Sequence, residues 1–295
     1  MTLSRETTNA LKGLAVVLIL ICHMFGGGFG YRIVTPLGGI GVSIFLFLSG
    51  YGLNESYISK GLRHFWKNKL LRLLLPYFLW LIILIPILYI MYGEVQWFYR
   101  YWYIEYMLIW YILFWLSKKL IPDYSEHLLL ILAFSSFFVF PNIMAEQSLS
   151  FVCGVLFSVN KEKYCGYSSR YYSIVAILLL FFGITCLALK QIDALRSFGE
   201  ESLIIKSCQL GIKFPIGLSL ILLYTSIKSK RVIETIFSVL GVLSLEIYLV
   251  QMPLYSSISG SFTKLIIVLC MVSVLVLVLN FCTRFLIKKL TSGNV

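Results

Sequence analysis

The chain alternates between long apolar runs and short polar connections, and this pattern recurs ten times. The runs cover approximately 11–27, 38–57, 71–92, 102–117, 127–142, 148–160, 171–189, 202–227, 236–256 and 264–285. A helix of about 20 apolar residues crosses a bilayer, and the runs lack the ten-residue alternation of porin strands. The pattern therefore predicts an all-α polytopic membrane protein with about ten transmembrane helices in one bundle.

The composition excludes a soluble globular protein and a disordered chain. Of the 295 residues, 59% are apolar and 13% are charged, against roughly 25% charged in a soluble domain. A soluble globule of this size cannot bury that much apolar surface. No Ser- or Pro-rich linker divides the chain, so residues 1–295 are expected to form a single transmembrane domain. The eighth run contains Lys206, Gln209, Lys213 and Pro215, which predicts a broken or partly re-entrant helix.

The basic residues predict the orientation of the chain. Seventeen Lys and Arg fall in one alternate set of connections, formed by the N-terminus, 57–72, 118–119, 161–170, 228–231 and the C-terminus. The other set holds five, namely Arg32, Arg100, Lys190, Arg196 and Lys264. Because Lys and Arg concentrate on cytosolic connections, both termini are expected in the cytosol. The net charge of +12 then reflects topology, and no nucleic-acid partner is expected.

Two ionisable residues share one face of the first run, which we expect to be retained as a span. Lys12 and His23 are eleven residues apart, which on an α-helix is three turns plus about 20° and about 16 Å of rise. A neutral imidazole deep in the membrane can take a proton from a hydroxyl and return it to a leaving group. The alternatives are a histidine that only hydrogen-bonds a neighbouring helix and a lysine that extends to the interface.

Small residues recur along the second run, between Gly41 and Gly52. Tight helix packing explains them. A polar channel lined by Ser49 and Tyr51 explains them equally, with Asn54 and Glu55 continuing it toward the cytosol. Both interpretations stay open on the sequence.

A dense basic connection precedes the third run. It extends from Arg63 through Lys69, and Arg72 lies one turn inside the following apolar run. Such a cluster next to a helix terminus can hold phosphate groups. Anionic lipid headgroups and membrane topology select the same residue types, so both explanations remain.

Aromatic residues crowd the next outer connection, at Trp97, Phe98, Tyr99, Tyr101, Trp102 and Tyr103. An interfacial belt and a sugar-stacking platform both account for them. Glu105 follows, and it is interpreted as a helix N-terminal carboxylate, as a group that orients a histidine, or as a ligand of a sugar hydroxyl.

Glu246 lies deep in the ninth run, close to Tyr248. A carboxylate buried there must be paired or protonated. Lys206 and Lys213 are the candidate partners. We interpret Glu246 and Tyr248 as structural polar residues within the membrane.

Five separate motifs, in order, resemble those of membrane-bound acyltransferase family 3, which includes bacterial O-acetyltransferases that modify surface polysaccharides. They are Asn9–His23 (a basic residue, ten residues, then histidine), Gly41–Tyr51, Arg63–Tyr77, Trp102–Ile104 and Leu240–Leu249. Together they span residues 9–253. One departure is Gln251, where the family often has a histidine, so the resemblance assigns position 251 no function.

The resemblance implies acyl transfer from acyl-CoA, chiefly acetyl-CoA as co-substrate, to a hydroxyl of a cell-surface glycan or its lipid-linked precursor. His23 is then the catalytic base. Lys12, Arg63, Lys69 and Arg72 are expected to bind the donor. Ser49, Tyr51, Trp102, Tyr103 and Glu105 are expected to contact the acceptor or line its channel.

The expected location is the bacterial plasma membrane, as a multi-pass protein in contact with lipid. The seven cysteines form no CxxC pair, so no metal site and no tightly bound cofactor are expected. The rival hypothesis is a multi-span transporter or flippase of a glycan or small solute, which would use the same intramembrane charges along a translocation path.

Overall fold

The computed structural model describes residues 3–93, 101–227 and 231–292, and every regular element in these ranges is helical. The helices are α1 (Arg5–Ile21), α2 (Pro36–Lys60), α3 (Phe65–Lys69), α4 (Leu75–Tyr92), α5 (Trp102–Leu120), α6 (Ser125–Val139), α7 (Asn142–Ala145), α8 (Ser148–Val159), α9 (Lys161–Cys165), α10 (Ser169–Lys190), α11 (Asp193–Arg196), α12 (Leu203–Ser226), α13 (Arg231–Val242), α14 (Ser244–Leu254) and α15 (Phe262–Ser292). The all-α polytopic fold predicted from the sequence is confirmed.

A helix occupies each of the ten predicted apolar runs. By length and apolar composition, seven helical segments of the described chain are suited to cross a membrane, and an eighth is added if one bent pair is a single span. The two predicted spans that do not qualify coincide with α5 and α6, which have 19 and 15 residues. The number ten and the cytosolic placement of the termini therefore stay predictions.

The helical bend falls in the ninth run, whereas the sequence predicted a break in the eighth. Helix α12 is continuous from Leu203 to Ser226 and includes Pro215. The helices α13 and α14 instead meet at an angle of 69°. Lys213 of α12 forms an ion pair with Glu146, which lies on the short segment between α7 and α8. Because this neighbouring carboxylate neutralises the charge of Lys213, α12 accommodates the lysine without breaking.

Glycines bring the central helices into backbone contact. A Cβ atom on Gly13 would collide with the carbonyl of Phe237, and one on Gly241 would collide with the carbonyl of Asn9. These contacts fix α1 against α13. Helices α2 and α8 meet in the same way, through Gly50 and Gly154. The small residues of α2 therefore serve helix packing, as one of the two interpretations of this run proposed.

Large aromatic side chains fill the space between α4, α5, α8 and α14. The indole Nε1 of Trp80 donates to the hydroxyl of Tyr101 at 2.7 Å, and that hydroxyl donates to the carbonyl oxygen of Leu249 at 2.8 Å. Trp110 stacks on Phe151, with ring centroids 5.2 Å apart. This buried network holds α14 at the centre of the bundle, where it borders the cavity described next.

Candidate active site

A cavity of about 430 Å³ opens between α1, α2, α5, α13 and α14, and we call it the Lys12 cavity. Its lining side chains include Lys12, Ser49, Lys69, Arg72, Tyr103, Tyr111, Glu246 and Tyr248. Arg72, Gly52 and Val242 are exposed at its mouth, whereas Tyr103, Glu246 and Tyr248 are buried at its floor. Residues from five separate sequence regions thus line one cavity.

Three cations converge on this cavity. Arg72 acts electrostatically on both Lys12 and Lys69, and Lys12 also acts on Lys69. The Nζ atom of Lys69 lies 5.8 Å from the ring centroid of Tyr111, a cation–π contact that positions the ammonium. Glu246 is the only carboxylate among the described lining residues. The cavity therefore has a net positive charge and favours an anionic ligand.

Hydroxyl and aromatic groups form the floor of the Lys12 cavity. The rings of Tyr103 and Tyr248 meet edge to face with centroids 5.3 Å apart. The Ser49 hydroxyl and the phenols of Tyr103 and Tyr111 line the same cavity. Such a floor offers flat apolar faces and a few polar groups to a thin ligand arm.

The bend between α13 and α14 carries Glu246 and Tyr248 into the cavity. Helix α13 ends at Val242, held against α1 by Gly241, and α14 starts at Ser244. Glu246 lies in the first turn of α14, where a helix favours a carboxylate. Lys213, one of its two expected partners, is instead paired with Glu146.

His23 lies beyond the floor of the cavity and is not among the residues that line it. The side-chain amide of Gln251 faces its Nδ1 atom, with Oε1 at 2.9 Å and Nε2 at 2.7 Å. The imidazole also stacks on the ring of Tyr255, with centroids 5.1 Å apart and planes 17° apart. Gln251 follows Tyr248 by three residues on α14, a rise of about 4.5 Å. Tyr248 at the floor and Gln251, which contacts His23, are therefore about one helical turn apart on α14.

Two of the predicted site residues, His23 and Arg72, lie in π-helical segments. His23 belongs to the segment Cys22–Gly28, which continues α1, and Arg72 belongs to Leu70–Leu74, which joins α3 to α4. π-Helices are rare and occur frequently at functional sites, since the extra residue re-aims the side chains of that turn. This is an independent reason to single out these two residues.

The other predicted site residues lie away from the Lys12 cavity. Tyr51 turns toward the N-terminus, where its hydroxyl accepts a hydrogen bond from the backbone N–H of Leu3 at 3.2 Å. Arg63 is exposed in the connection between α2 and α3. Trp102 and Glu105 are half-buried in the first turn of α5. None of the four lines the cavity.

The polar residues expected to extend a channel below Tyr51 form a packed network. Asn54 donates to the hydroxyl of Ser158 at 2.9 Å, and that hydroxyl donates to Glu55 at 2.6 Å. The ammonium of Lys161 donates to the same carboxylate at 2.7 Å, which raises the pKa of Lys161. These contacts join α2 to α8 and to the start of α9.

Of the aromatic residues expected at the outer surface, Tyr101 and Tyr103 are buried inside the protein. Trp97, Phe98 and Tyr99 lie outside the described residues. The burial of Tyr101 and Tyr103 does not fit a belt at the lipid interface.

Sequence reasoning assigned no role to Gln251, Tyr255 or Tyr111. Gln251 appeared only as a departure from the family pattern, yet it is the side chain that contacts His23. The available signal was its position three residues after Tyr248, which places both on one face of a helix.

Comparison with known proteins bears on the chemistry of this arrangement. The model of the acyltransferase 3 family, described as an acyltransferase domain, matches residues 7–285. No curated protein and no solved structure matches the chain. The matched range contains Lys12, His23, Arg72 and the whole Lys12 cavity. Since it covers nearly the entire sequence, the chain belongs to the acyltransferase 3 family of multi-pass membrane proteins.

Proposed function

We propose that this membrane acyltransferase moves an acetyl or other small acyl group from cytosolic acyl-CoA to a hydroxyl of a cell-surface glycan or its lipid-linked precursor, in the bacterial plasma membrane. The observation that carries the proposal is the convergence of Lys12, Lys69 and Arg72 on one cavity. That cavity ends about one helical turn from the His23–Gln251 pair.

The cations support a phosphate-bearing donor. Arginine and lysine hold phosphate oxygens through charge-assisted hydrogen bonds. Arg72 is exposed at the mouth of the cavity, and Lys12 and Lys69 are half-buried behind it. The phosphates of acyl-CoA would bind there, with the thin pantetheine arm directed along Tyr103 and Tyr248 toward His23. Lys12 and His23 are separated by about 16 Å along α1, which suits a long, narrow donor.

His23 would act as the general base. When its Nδ1–H donates to Oε1 of Gln251, the Nε2 atom of the ring keeps its lone pair. Nε2 takes the proton of the acceptor hydroxyl as that oxygen attacks the thioester carbonyl carbon. A C–O bond forms, the C–S bond breaks, and the imidazolium returns its proton to the leaving sulfur as a thiol. A positioned base of this kind contributes about 10²–10⁴-fold in rate.

The test uses purified protein in liposomes, radiolabelled acetyl-CoA, and cell-wall or capsule glycan. Free thiol release and label in the glycan are measured in parallel. Both are expected to be lost in His23→Ala and kept in His127→Ala, since His127 is exposed at the start of α6. Label transfer at the unmutated rate in His23→Ala would overturn the mechanism. Movement of a solute across the liposome without thioester consumption would favour the transporter.

A further inference from the structure

A second cavity, of about 750 Å³, lies between α10, α11, α12 and the start of α2, and we call it the Lys213 cavity. Its charged lining residues are Arg32, Lys190, Arg196, Glu200 and Lys213. An adjoining pocket of about 190 Å³ adds Lys206 and Glu146 and shares Glu200 with it. Five cations and two carboxylates therefore surround this region.

Membrane topology does not explain this concentration of charge. Lys and Arg are selected on cytosolic connections, whereas Arg32, Lys190 and Arg196 belong to the connections predicted to face outward. Three of the five basic residues predicted on that side line this single cavity. Lys206 and Lys213 reach the same region from α12. A functional requirement for positive charge accounts for the placement.

The positive charge is only partly compensated. Lys213 is paired with Glu146 at the base of the cavity, where both side chains are largely buried. The guanidinium of Arg196 donates to the side-chain oxygen of Gln191, a neutral partner. None of the ion pairs among the described residues involves Arg32, Lys190 or Arg196. An anion entering the cavity would meet these cations.

The Lys213 cavity borders the segment that carries His23. Thr35 lines the cavity, and its carbonyl oxygen accepts a hydrogen bond from the thiol of Cys22, with 3.2 Å between Sγ and O. Cys22 directly precedes His23 and opens the same π-helical segment. The aliphatic stem of Lys213 packs against α2 at Gly39, where a Cβ atom would displace it. A molecule held in this cavity therefore lies next to the segment that carries the proposed base.

We propose that the Lys213 cavity binds the acyl acceptor through an anionic group, so that the acceptor is a glycan carrying carboxylates or phosphates. The proposal rests on the proposed function, because it takes the second substrate of that reaction to be the occupant. The cavity holds the anion, and a neighbouring hydroxyl of the same glycan is presented toward His23. The Lys12 cavity holds the donor, so the two substrates approach the base from opposite sides.

The test measures binding without acetyl-CoA, using protein in nanodiscs of zwitterionic phosphatidylcholine. The probes are oligogalacturonate, a glycerol-phosphate oligomer and a neutral maltooligosaccharide of matched length. The variant is Arg32→Gln/Lys190→Gln. The matched control is Lys163→Gln/Arg170→Gln, which removes the same charge from exposed positions on α9 and in the first turn of α10. A second arm repeats the measurement in nanodiscs that contain phosphatidylglycerol.

We expect the anionic oligosaccharides to bind about tenfold more tightly than the neutral one, and the preference to disappear in Arg32→Gln/Lys190→Gln but not in the control. Equal binding of charged and neutral probes to unmutated protein would overturn the proposal. A second result would also overturn it: the glycans bind independently of charge, and only the unmutated protein retains phosphatidylglycerol. The cavity would then bind a lipid headgroup. Because the binding test contains no acetyl-CoA, its result does not depend on whether the protein catalyses acyl transfer. Failure of the proposed function and failure of this proposal can therefore be distinguished.

Discussion

The Lys12 and Lys213 cavities are both cationic, but they are built differently. The Lys12 cavity is walled by aromatic and small residues on helices that touch through glycine, and its floor is buried. The Lys213 cavity is larger, has no aromatic side chain among its described lining residues, and places Arg32 and Arg196 on exposed segments. A smaller site with closely packed aromatic walls suits one invariant molecule, whereas a larger site lined by polar and charged side chains suits a variable polymer.

Positive charge alone does not define a donor site. Both regions attract anions, and only the Lys12 cavity ends at a tyrosine floor next to the His23–Gln251 pair. The following predictions separate the two regions.

The largest effect is expected for His23→Ala. Turnover should fall by about 10²–10⁴-fold, because the acceptor hydroxyl loses its base, while affinity for acetyl-CoA stays unchanged since His23 does not line the Lys12 cavity. Single-turnover transfer and equilibrium binding of labelled donor measure the two quantities. A parallel loss of donor affinity would show that the two functions are not separated as described.

Arg72→Ala should weaken acetyl-CoA binding by about 10–100-fold, because a charge-assisted hydrogen bond to phosphate is lost. Arg63→Ala should have a smaller effect, since Arg63 is exposed and does not line the cavity. Isothermal titration with CoA measures both variants. Equal losses of affinity in the two variants would indicate that the donor phosphates bind at the connection between α2 and α3.

Three glycine variants test the rigidity of the two regions. Gly50→Ala should lower the free energy of unfolding by about 1–3 kcal/mol, because its Cβ meets the backbone of α8. Gly39→Ala should cost less, since its Cβ meets the flexible stem of Lys213. Gly52→Ala is the control, because no atom outside its own helix lies within 4 Å of its Cβ and alanine favours a helix by up to about 1 kcal/mol.

Thermal unfolding in detergent ranks the three proteins. The predicted order of stability is Gly52→Ala, then Gly39→Ala, then Gly50→Ala. A Gly39→Ala protein as unstable as Gly50→Ala would mean that the Lys213 region is packed as tightly as the helix crossing beside the Lys12 cavity.

The smallest effect is expected at Gln251, which positions His23. Gln251→Ala should reduce kcat by about fivefold with the donor KM unchanged, because a net hydrogen bond of about 1 kcal/mol to Nδ1 orients the ring. Gln251→Glu keeps an acceptor for Nδ1–H and should retain more activity than Gln251→Ala. Gln251→Glu no more active than Gln251→Ala would exclude an accepting role for this side chain.

The sequence predicts the helical fold well because apolar periodicity reports directly on burial in lipid. The composition of α2 does not show which of its faces lines a cavity, but helix geometry limits which residues can share a face. Ser49 and Tyr51 are two residues apart, so they point about 200° apart on a helix and cannot both line one cavity. The structure places Ser49 in the Lys12 cavity and turns Tyr51 to Leu3.

The surroundings of His23 were beyond sequence reasoning for two physical reasons. The π-helix from Cys22 breaks the α-helical period that put His23 in line with Lys12. The contact with Gln251 depends on the 69° bend between α13 and α14. The sequence predicted the break in the eighth run instead, because of the polar residues of α12. Contacts between helices that are distant in sequence determine the π-helical segment and the bend. The local pattern of apolar and polar residues contains no information about these contacts.

The most direct test asks which cavity the donor occupies. Val242→Cys at the mouth of the Lys12 cavity and Gln209→Cys in the Lys213 cavity are each introduced into a protein lacking the seven native cysteines. The rate of labelling by a water-soluble maleimide is then measured with and without acetyl-CoA. We predict that acetyl-CoA protects Val242→Cys and leaves Gln209→Cys unprotected. Protection of Gln209→Cys alone would contradict the assignment of the Lys12 cavity to the acyl donor.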